Sequence, residues 1–186
     1  MELLDLRPGA TVVDVACGTG LNHPLLQRRI GPDGRLIGID ATPEMLERAR
    51  ARARRNRWAN VSLIRADASL LSSRSLEQDA ALGPTDAIDA AICTLGLSVI
   101  PDWQQAWQQM LGTVRPGGRV AIMDAGSGDI TAFRPVASLI CRFYAADGQR
   151  APWQLVPNDT DNPTLDRFSW GYVRVAAGTR PARSTP

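Results

Sequence analysis

Short apolar runs alternate with longer, polar-faced stretches along most of this chain. Val12, Val13 and Val15 make the first run, and Leu21 to Ile30 reads as a helix behind it. Further apolar runs span Arg35 to Asp40, Val61 to Ala68 (closing in Asp67), Ala87 to Thr94 and Arg119 to Asp124. Runs of this length bounded by glycine and proline signals are expected as buried strands. Between the second and third, Thr42 as N-cap, Pro43 at the first helical position and Glu44 in the first turn open a helix that continues to about Arg57. Pro101-Asp102 opens another. Its Trp103, Ala106, Trp107, Met110, Leu111 and Val114 recur at helical spacing on a single stripe, so both tryptophans are expected in the core. Arg115-Pro116-Gly117-Gly118 stops that helix before the fifth strand. Ser69 to Leu82 carries little periodicity and reads as a short helix and a loop. Beyond Asp124 the expectation is a helix over Ile130 to Tyr144, a loop over Gly148 to Pro163 and a terminal strand over Phe168 to Ala176. A single domain of residues 1–178 is followed by a flexible tail, 179–186. Alternation of this kind predicts an α/β fold, a doubly wound, mostly parallel sheet with helices on both faces.

Composition narrows the picture. The 186 residues suit one domain with a real core. No apolar run approaches the ~20 residues that span a bilayer. The first residues show neither a basic start nor an apolar stretch, so a cytoplasmic protein is expected. Cys17, Cys93 and Cys141 are widely spaced and there is one histidine, so neither a disulfide framework nor a metal site is expected. All 21 basic residues are arginine, which excludes a lysine base or a lysine Schiff base. A net charge of +2 is too small to argue for a nucleic-acid partner. Arg48, Arg50, Arg52, Arg54, Arg55 and Arg57 crowd the second helix. They read as a solvated face near a helix C-terminus, where cations are favourable. An anionic membrane surface or RNA is the other reading of that run.

The chemistry sits at the strand ends. The first strand runs into Ala16-Cys17-Gly18-Thr19-Gly20, a turn whose small residues let backbone N–H groups approach a ligand. A dinucleotide fingerprint requires a third small residue where His23 stands. Asp40 ends the second strand, 20 residues after Gly20, where a carboxylate can accept both ribose hydroxyls of a nucleoside. Together with Asp14 and Asp67, it makes three strand-end carboxylates in order. This pattern resembles the class I S-adenosylmethionine-dependent methyltransferases, whose first motif is an acidic residue followed by Gly-x-Gly-x-Gly; Ala16 replaces the first glycine. Ile39-Asp40-Ala41-Thr42-Pro43-Glu44-Met45-Leu46 and Leu97-Ser98-Val99-Ile100-Pro101-Asp102-Trp103 look like the quinone-biosynthesis C-methyltransferases and the bacterial phospholipid N-methyltransferases. The resemblance covers about Leu6 to Ala177.

That resemblance implies a Rossmann-like fold with an antiparallel C-terminal strand. It implies S-adenosylmethionine as cofactor, released as S-adenosylhomocysteine. The cofactor-binding residues it implies are Asp14, Ala16, Cys17, Gly18, Thr19, Gly20, Asp40, Ala41, Met45, Asp67, Ala68, Thr94 and Leu95. Among them, Gly18 to Gly20 would lie under the methionine portion, Asp40 at the ribose, and Met45, Asp67 and Ala68 around the adenine. Thr94 and Leu95 would lie near the sulfonium. The expected reaction is in-line transfer of a methyl group to a small-molecule or lipid-like acceptor. The alternatives are transfer of the aminocarboxypropyl group, or a non-catalytic subunit serving a partner. His23 follows the glycine turn and is the candidate general base; Tyr144 and Asp124 are weaker candidates. Family members usually carry lid helices before the first strand, which here begins near Thr11. Either the sequence is a truncated or internal segment, or the site is expected to be more open, or to be covered by a partner chain, a second copy included. Peripheral membrane contact is a further expectation.

Overall fold

β1 (Thr11–Val15) is buried at every position, because its neighbours pair on both sides and helices cover both faces. The computed structural model describes residues 2–83, 87–125, 150–168 and 172–182. Within them, β2 (Arg35–Asp40), β3 (Val61–Arg65), β4 (Ala90–Thr94) and β5 (Arg119–Ala125) join β1 in a parallel array. β6 (Asp161–Phe168) and β7 (Val173–Thr179) add an antiparallel pair, giving the order β3-β2-β1-β4-β5-β7-β6. The strand order reverses between β1 and β4, and in such sheets ligands bind above the carboxyl ends at that switch point.

Successive side chains of β1 point to opposite faces. Val13 and Val15 join Ile37, Ile39, Trp107 and Met110 in one core. Val12 joins Leu36, Leu26 and Ile30 in the other. The helices α1 (His23–Ile30), α2 (Pro43–Arg55), α3 (Ser73–Asp79), α4 (Trp103–Thr113) and α5 (Leu155–Asp159) complete the described elements. The stripe expected on α4 is largely buried: Ala106, Trp107, Met110 and Val114 are enclosed, and Trp103 and Leu111 pack partly against them. The turn after α4 follows from its glycines. Gly117 has φ 77°, and a Cβ on Gly118 would sit 2.4 Å from Val114 Cγ1 and 2.5 Å from the Asp89 carbonyl oxygen.

Several expectations are corrected. β3 closes at Arg65, and Asp67 instead caps a short 3-10 turn, Ala68–Leu70. Residues 148–163 are not a loop throughout: they include a 3-10 turn at Pro152–Gln154, α5 and the start of β6. Pro163 is accommodated because β6 is an edge strand, with a register shift between Asp161 and Thr164. The C-terminal addition is thus a pair of strands, and the residues expected in one strand from Phe168 divide between β6 and β7. Thr179 belongs to β7 rather than to a tail. Arg180 exchanges backbone bonds with Gly117 and Gly118, and its guanidinium donates to the carbonyls of Gly112 and Val114. The helix expected over Ile130 to Tyr144 lies outside the described residues.

α5 is held by a part-buried polar contact. Trp107 Nε1 donates to Asp159 Oδ2 at 2.6 Å, and Gln108 Nε2 donates to the same oxygen at 2.9 Å. Asp159→Ala leaves the enclosed indole N–H without an acceptor, at a cost of about 1–3 kcal/mol. We expect thermal unfolding to shift down by several degrees, with the S-adenosylhomocysteine affinity unchanged. An unaltered Tm would contradict this role for α5.

Candidate active site

The glycine turn is built from left-handed residues: Ala16 (φ 53°), Gly18 (φ 54°) and Gly20 (φ 72°). Cys17 N–H still pairs with the Ile39 carbonyl at 2.8 Å, so β1 and β2 remain zipped as the chain turns away. Asp40 ends β2 and clasps what lies on either side. Its Oδ2 accepts from Gly18 N–H and its Oδ1 from Thr42 N–H, both at 2.8 Å. Thr42 precedes α2 without a side-chain cap, so the Asp40 carboxylate does this work for the helix start. A carboxylate has about four acceptor directions, so both oxygens retain capacity for a ligand hydroxyl. Ala41 is exposed, and its carbonyl accepts from Arg65 Nε at 3.4 Å.

Asp67 stands exposed after β3. The Ser69 hydroxyl (2.7 Å) and the Ser69 N–H (2.9 Å) both donate to its Oδ1, and they hold its carboxyl below the usual range. It is therefore an ionised acceptor at neutral pH. Ala68 beside it is buried, and Met45 on the first turn of α2 is 39% exposed. Across the switch point, Thr94 ends β4, followed by Leu95 at φ 55°. The loop after β4 is fastened to β5: Ser98 Oγ and N–H donate to the two oxygens of Asp124, at 2.7 and 2.9 Å.

Two residues outside the expected set shape this site. Asn22 Nδ2 donates to Thr94 Oγ1 at 2.7 Å and lies 3.2 Å from Asp14 Oδ1, so one amide braces β1 against β4 below the crevice. Arg52 Nε donates to the Thr19 carbonyl at 3.0 Å, tying α2 to the glycine turn. Arg52 belongs to the arginine run read as solvated, and no local pattern separated it from its neighbours.

The arrangement is a crevice over the ends of β1, β2, β3 and β4, with small-residue backbone at its centre and acceptors at its sides. A Cβ built on Gly18 would meet nothing within 4 Å, so that turn has open space in front of it. A nucleoside bearing a cationic tail fits this donor set: carboxylates for hydroxyl and amine donors, an apolar Met45 flank and an unencumbered turn.

A family model described as a methyltransferase domain matches residues 6–146. The chain is similar to the demethylmenaquinone methyltransferase of Listeria monocytogenes, 28% identical over 200 residues that cover 100% of this chain and 80% of that protein. An O-methyltransferase family protein from Burkholderia thailandensis shares the fold with a TM-score of 0.71 at 19% identity, over 98% of this chain and 53% of that one. For an S-adenosylmethionine-dependent methyltransferase from Aquifex aeolicus the TM-score is 0.61 at 16% identity, over 94% and 84%. The chain belongs to the class I S-adenosylmethionine-dependent methyltransferases.

In this methyltransferase, burial overturns the reading of two candidate bases. His23 is fully enclosed beneath the turn, where a Cβ on Gly20 would come within 2.6 Å of its Nδ1 and one on Gly38 within 3.2 Å of its Nε2. Nε2 lies 3.5 Å from Asp14 Oδ2, outside hydrogen-bond alignment, and among the described residues neither ring nitrogen has a hydrogen-bond partner. A general base needs a path to the acceptor, and His23 has none. Asp124 is likewise enclosed. Burial pushes its carboxyl up while the Ser98 and Ala125 donors pull it down; Ser98 belongs to the loop after β4 and Ala125 ends β5. Tyr144 lies outside the described residues. Burial, reinforced by Asp14 and Asp40, also raises the Cys17 thiol, so Cys17 is a space-filling member of the turn rather than a nucleophile.

The departure from the family's glycine has a structural counterpart. Ala16 holds a left-handed conformation that costs a non-glycine residue about 1–2 kcal/mol. It is admitted because Gly96 lacks a side chain: a Cβ there would lie 2.6 Å from Ala16 Cβ and 2.7 Å from Cys93 Sγ. Gly96→Ala is expected to destabilise by about 1–3 kcal/mol through overpacking. Ala16→Gly alone is expected to stabilise by about 1 kcal/mol, and to recover part of the Gly96→Ala loss in the double variant. Denaturant melts of the four proteins measure the coupling, and strict additivity would mean that the two sites do not compete for the same space.

Proposed function

We propose that this methyltransferase delivers its methyl group to a small, largely apolar acceptor of the quinone or lipid type. The observation that carries this reading is the apolar rim at the switch point. Leu21 (72% exposed) and Leu95 (53%) are the chain neighbours of Asn22 and Thr94, which bond each other, and Val99 (40%) lies in the loop after β4. Exposed large apolar side chains grouped at a crevice mark a binding surface for apolar matter. The name of the Listeria relative, a demethylmenaquinone methyltransferase, is consistent with that chemistry.

S-adenosylmethionine, when bound, supplies a methyl group already activated by its sulfonium. The chain's contribution is then alignment, worth roughly 7–11 kcal/mol of barrier when donor and acceptor are held in line. In our reading Gly18 to Gly20 support the methionine portion, with Asp14, Ala16 and Cys17 shaping the turn from below. Asp40 accepts from the ribose; Met45 flanks the adenine, while Ala41, Asp67 and Ala68 edge it. Thr94 and Leu95 face the reacting end. Because His23 and Asp124 are enclosed, the acceptor is one that reacts without a base from either.

Asp40→Asn keeps the side-chain shape but turns one of the two acceptors into a donor, so either Gly18 N–H or Thr42 N–H loses its partner. We expect cofactor affinity to fall about 10- to 100-fold, the scale of one or two hydrogen bonds to a charged group; calorimetric titration with S-adenosylhomocysteine checks this, and a change under twofold would count against the ribose role. For the acceptor, S-adenosylhomocysteine formation is followed with an isoprenoid hydroquinone, with phosphatidylethanolamine vesicles and with hydrophilic catechols. Leu95→Asp suits the left-handed backbone and is expected to lower kcat/KM for the apolar acceptor at least about tenfold. Turnover confined to the hydrophilic acceptors would defeat the proposal. Release of methylthioadenosine in place of S-adenosylhomocysteine would indicate aminocarboxypropyl transfer.

A further inference from the structure

α2 ends in a way that its sequence makes expensive. Arg57 N–H donates to the Arg54 carbonyl and Trp58 N–H to the Ala53 carbonyl, each at 3.1 Å. These two bonds form the Schellman closure of a helix, with Trp58 contacting the last turn. The residue at the left-handed position of that closure is usually glycine, yet here it is Arg57 at φ 57°. A non-glycine side chain kept in a strained conformation points to a role for that side chain.

The closure lines a groove. Arg50, Ala53, Arg54, Arg57, Trp58, Ala59, Val61 and Leu63 surround a cavity of about 480 Å³ between the end of α2 and the edge strand β3. Its lining joins the apolar Ala53, Trp58, Val61 and Leu63 to three arginines. Arg50 pairs with Glu47 at 3.2 Å. Arg54 and Arg57 are exposed and have no carboxylate partner among the described residues. Residues 43–65 hold seven arginines and two glutamates in a chain whose net charge is only +2, so positive charge is concentrated here. Guanidinium groups match phosphate oxygens in a forked geometry, and an indole offers a face for an apolar or aromatic body.

We propose that this groove, away from the methyl-transfer crevice, binds an organic phosphate, its phosphate on Arg54 and Arg57 and its apolar portion along Trp58, Val61 and Leu63. A soluble phosphate ester and the headgroup region of an anionic phospholipid share that chemistry. Neither the cofactor site nor the acceptor site uses these residues, so the inference stands apart from the proposed acceptor.

The test keeps the cofactor site filled with S-adenosylhomocysteine. Phenyl phosphate is titrated calorimetrically, and sedimentation is measured with phosphatidylcholine vesicles with and without phosphatidylglycerol. Wild type is compared with Arg54→Gln and Arg57→Gly. We expect binding to at least one of the two probes, weakened about tenfold or more in both variants. Arg57→Gly is expected to raise Tm at the same time, because glycine relieves the left-handed strain. Opposite signs in stability and binding separate a ligand role from a structural one. Phenyl phosphate binding without vesicle binding assigns a soluble ester, and phosphatidylglycerol-dependent sedimentation lost in both variants assigns a lipid headgroup. Absence of binding to both probes, or binding indifferent to both substitutions, would overturn the proposal.

Discussion

The Asp40 carboxylate is the fastening on which the upper surface of this methyltransferase depends. β2 is held on both sides, by β1 and β3, so the position of Asp40 is set by the sheet. Its two oxygens then take the N–H groups of Gly18 and Thr42, and in doing so place the glycine turn and the start of α2 relative to each other. Backbone donors at a turn and at a helix start both need acceptors. One carboxylate satisfies the two.

Around that fastening the chain stores local strain and braces it. Ala16 and Leu95 are non-glycine residues with left-handed backbone, one on each side of the switch point. Such residues persist where neighbouring structure over-determines them. Asn22 joins Asp14 to Thr94 beneath the crevice, and Ser98 joins the loop after β4 to Asp124. The two carboxylates that these braces engage are both buried, which is affordable because each has donors aimed at it. Polar burial here serves position, whereas Asp40 is half-buried and Asp67 exposed.

His23 shows how sequence proximity and spatial direction part company. It follows the glycine turn closely in the chain, which suggests reach toward the acceptor. As the first residue of α1 it instead turns inward, into space that exists because Gly20 and Gly38 have no Cβ. Arg52 shows the converse. It is one of five arginines on α2 with nothing local to distinguish it, yet it alone among them bonds the glycine turn. Both outcomes depend on residues one or more elements away.

The sequence by itself determined the doubly wound sheet, the strand-end positions of Asp14 and Asp40, the α4 stripe and the turn at Gly117-Gly118. Apolar periodicity and backbone breakers are local signals, and burial of β1, β2 and β4 on both faces makes them strong. Only the tertiary structure decided β6, which is exposed at every position and therefore carries no burial pattern; its backbone bonds to β7 create it. The tertiary structure likewise decided that His23 and Asp124 face inward, that Asn22 bridges two strands, and that Arg57 closes a groove. A chain's hydrophobic pattern encodes which face of an element is buried. The partner a polar group finds depends on segments that only folding brings together.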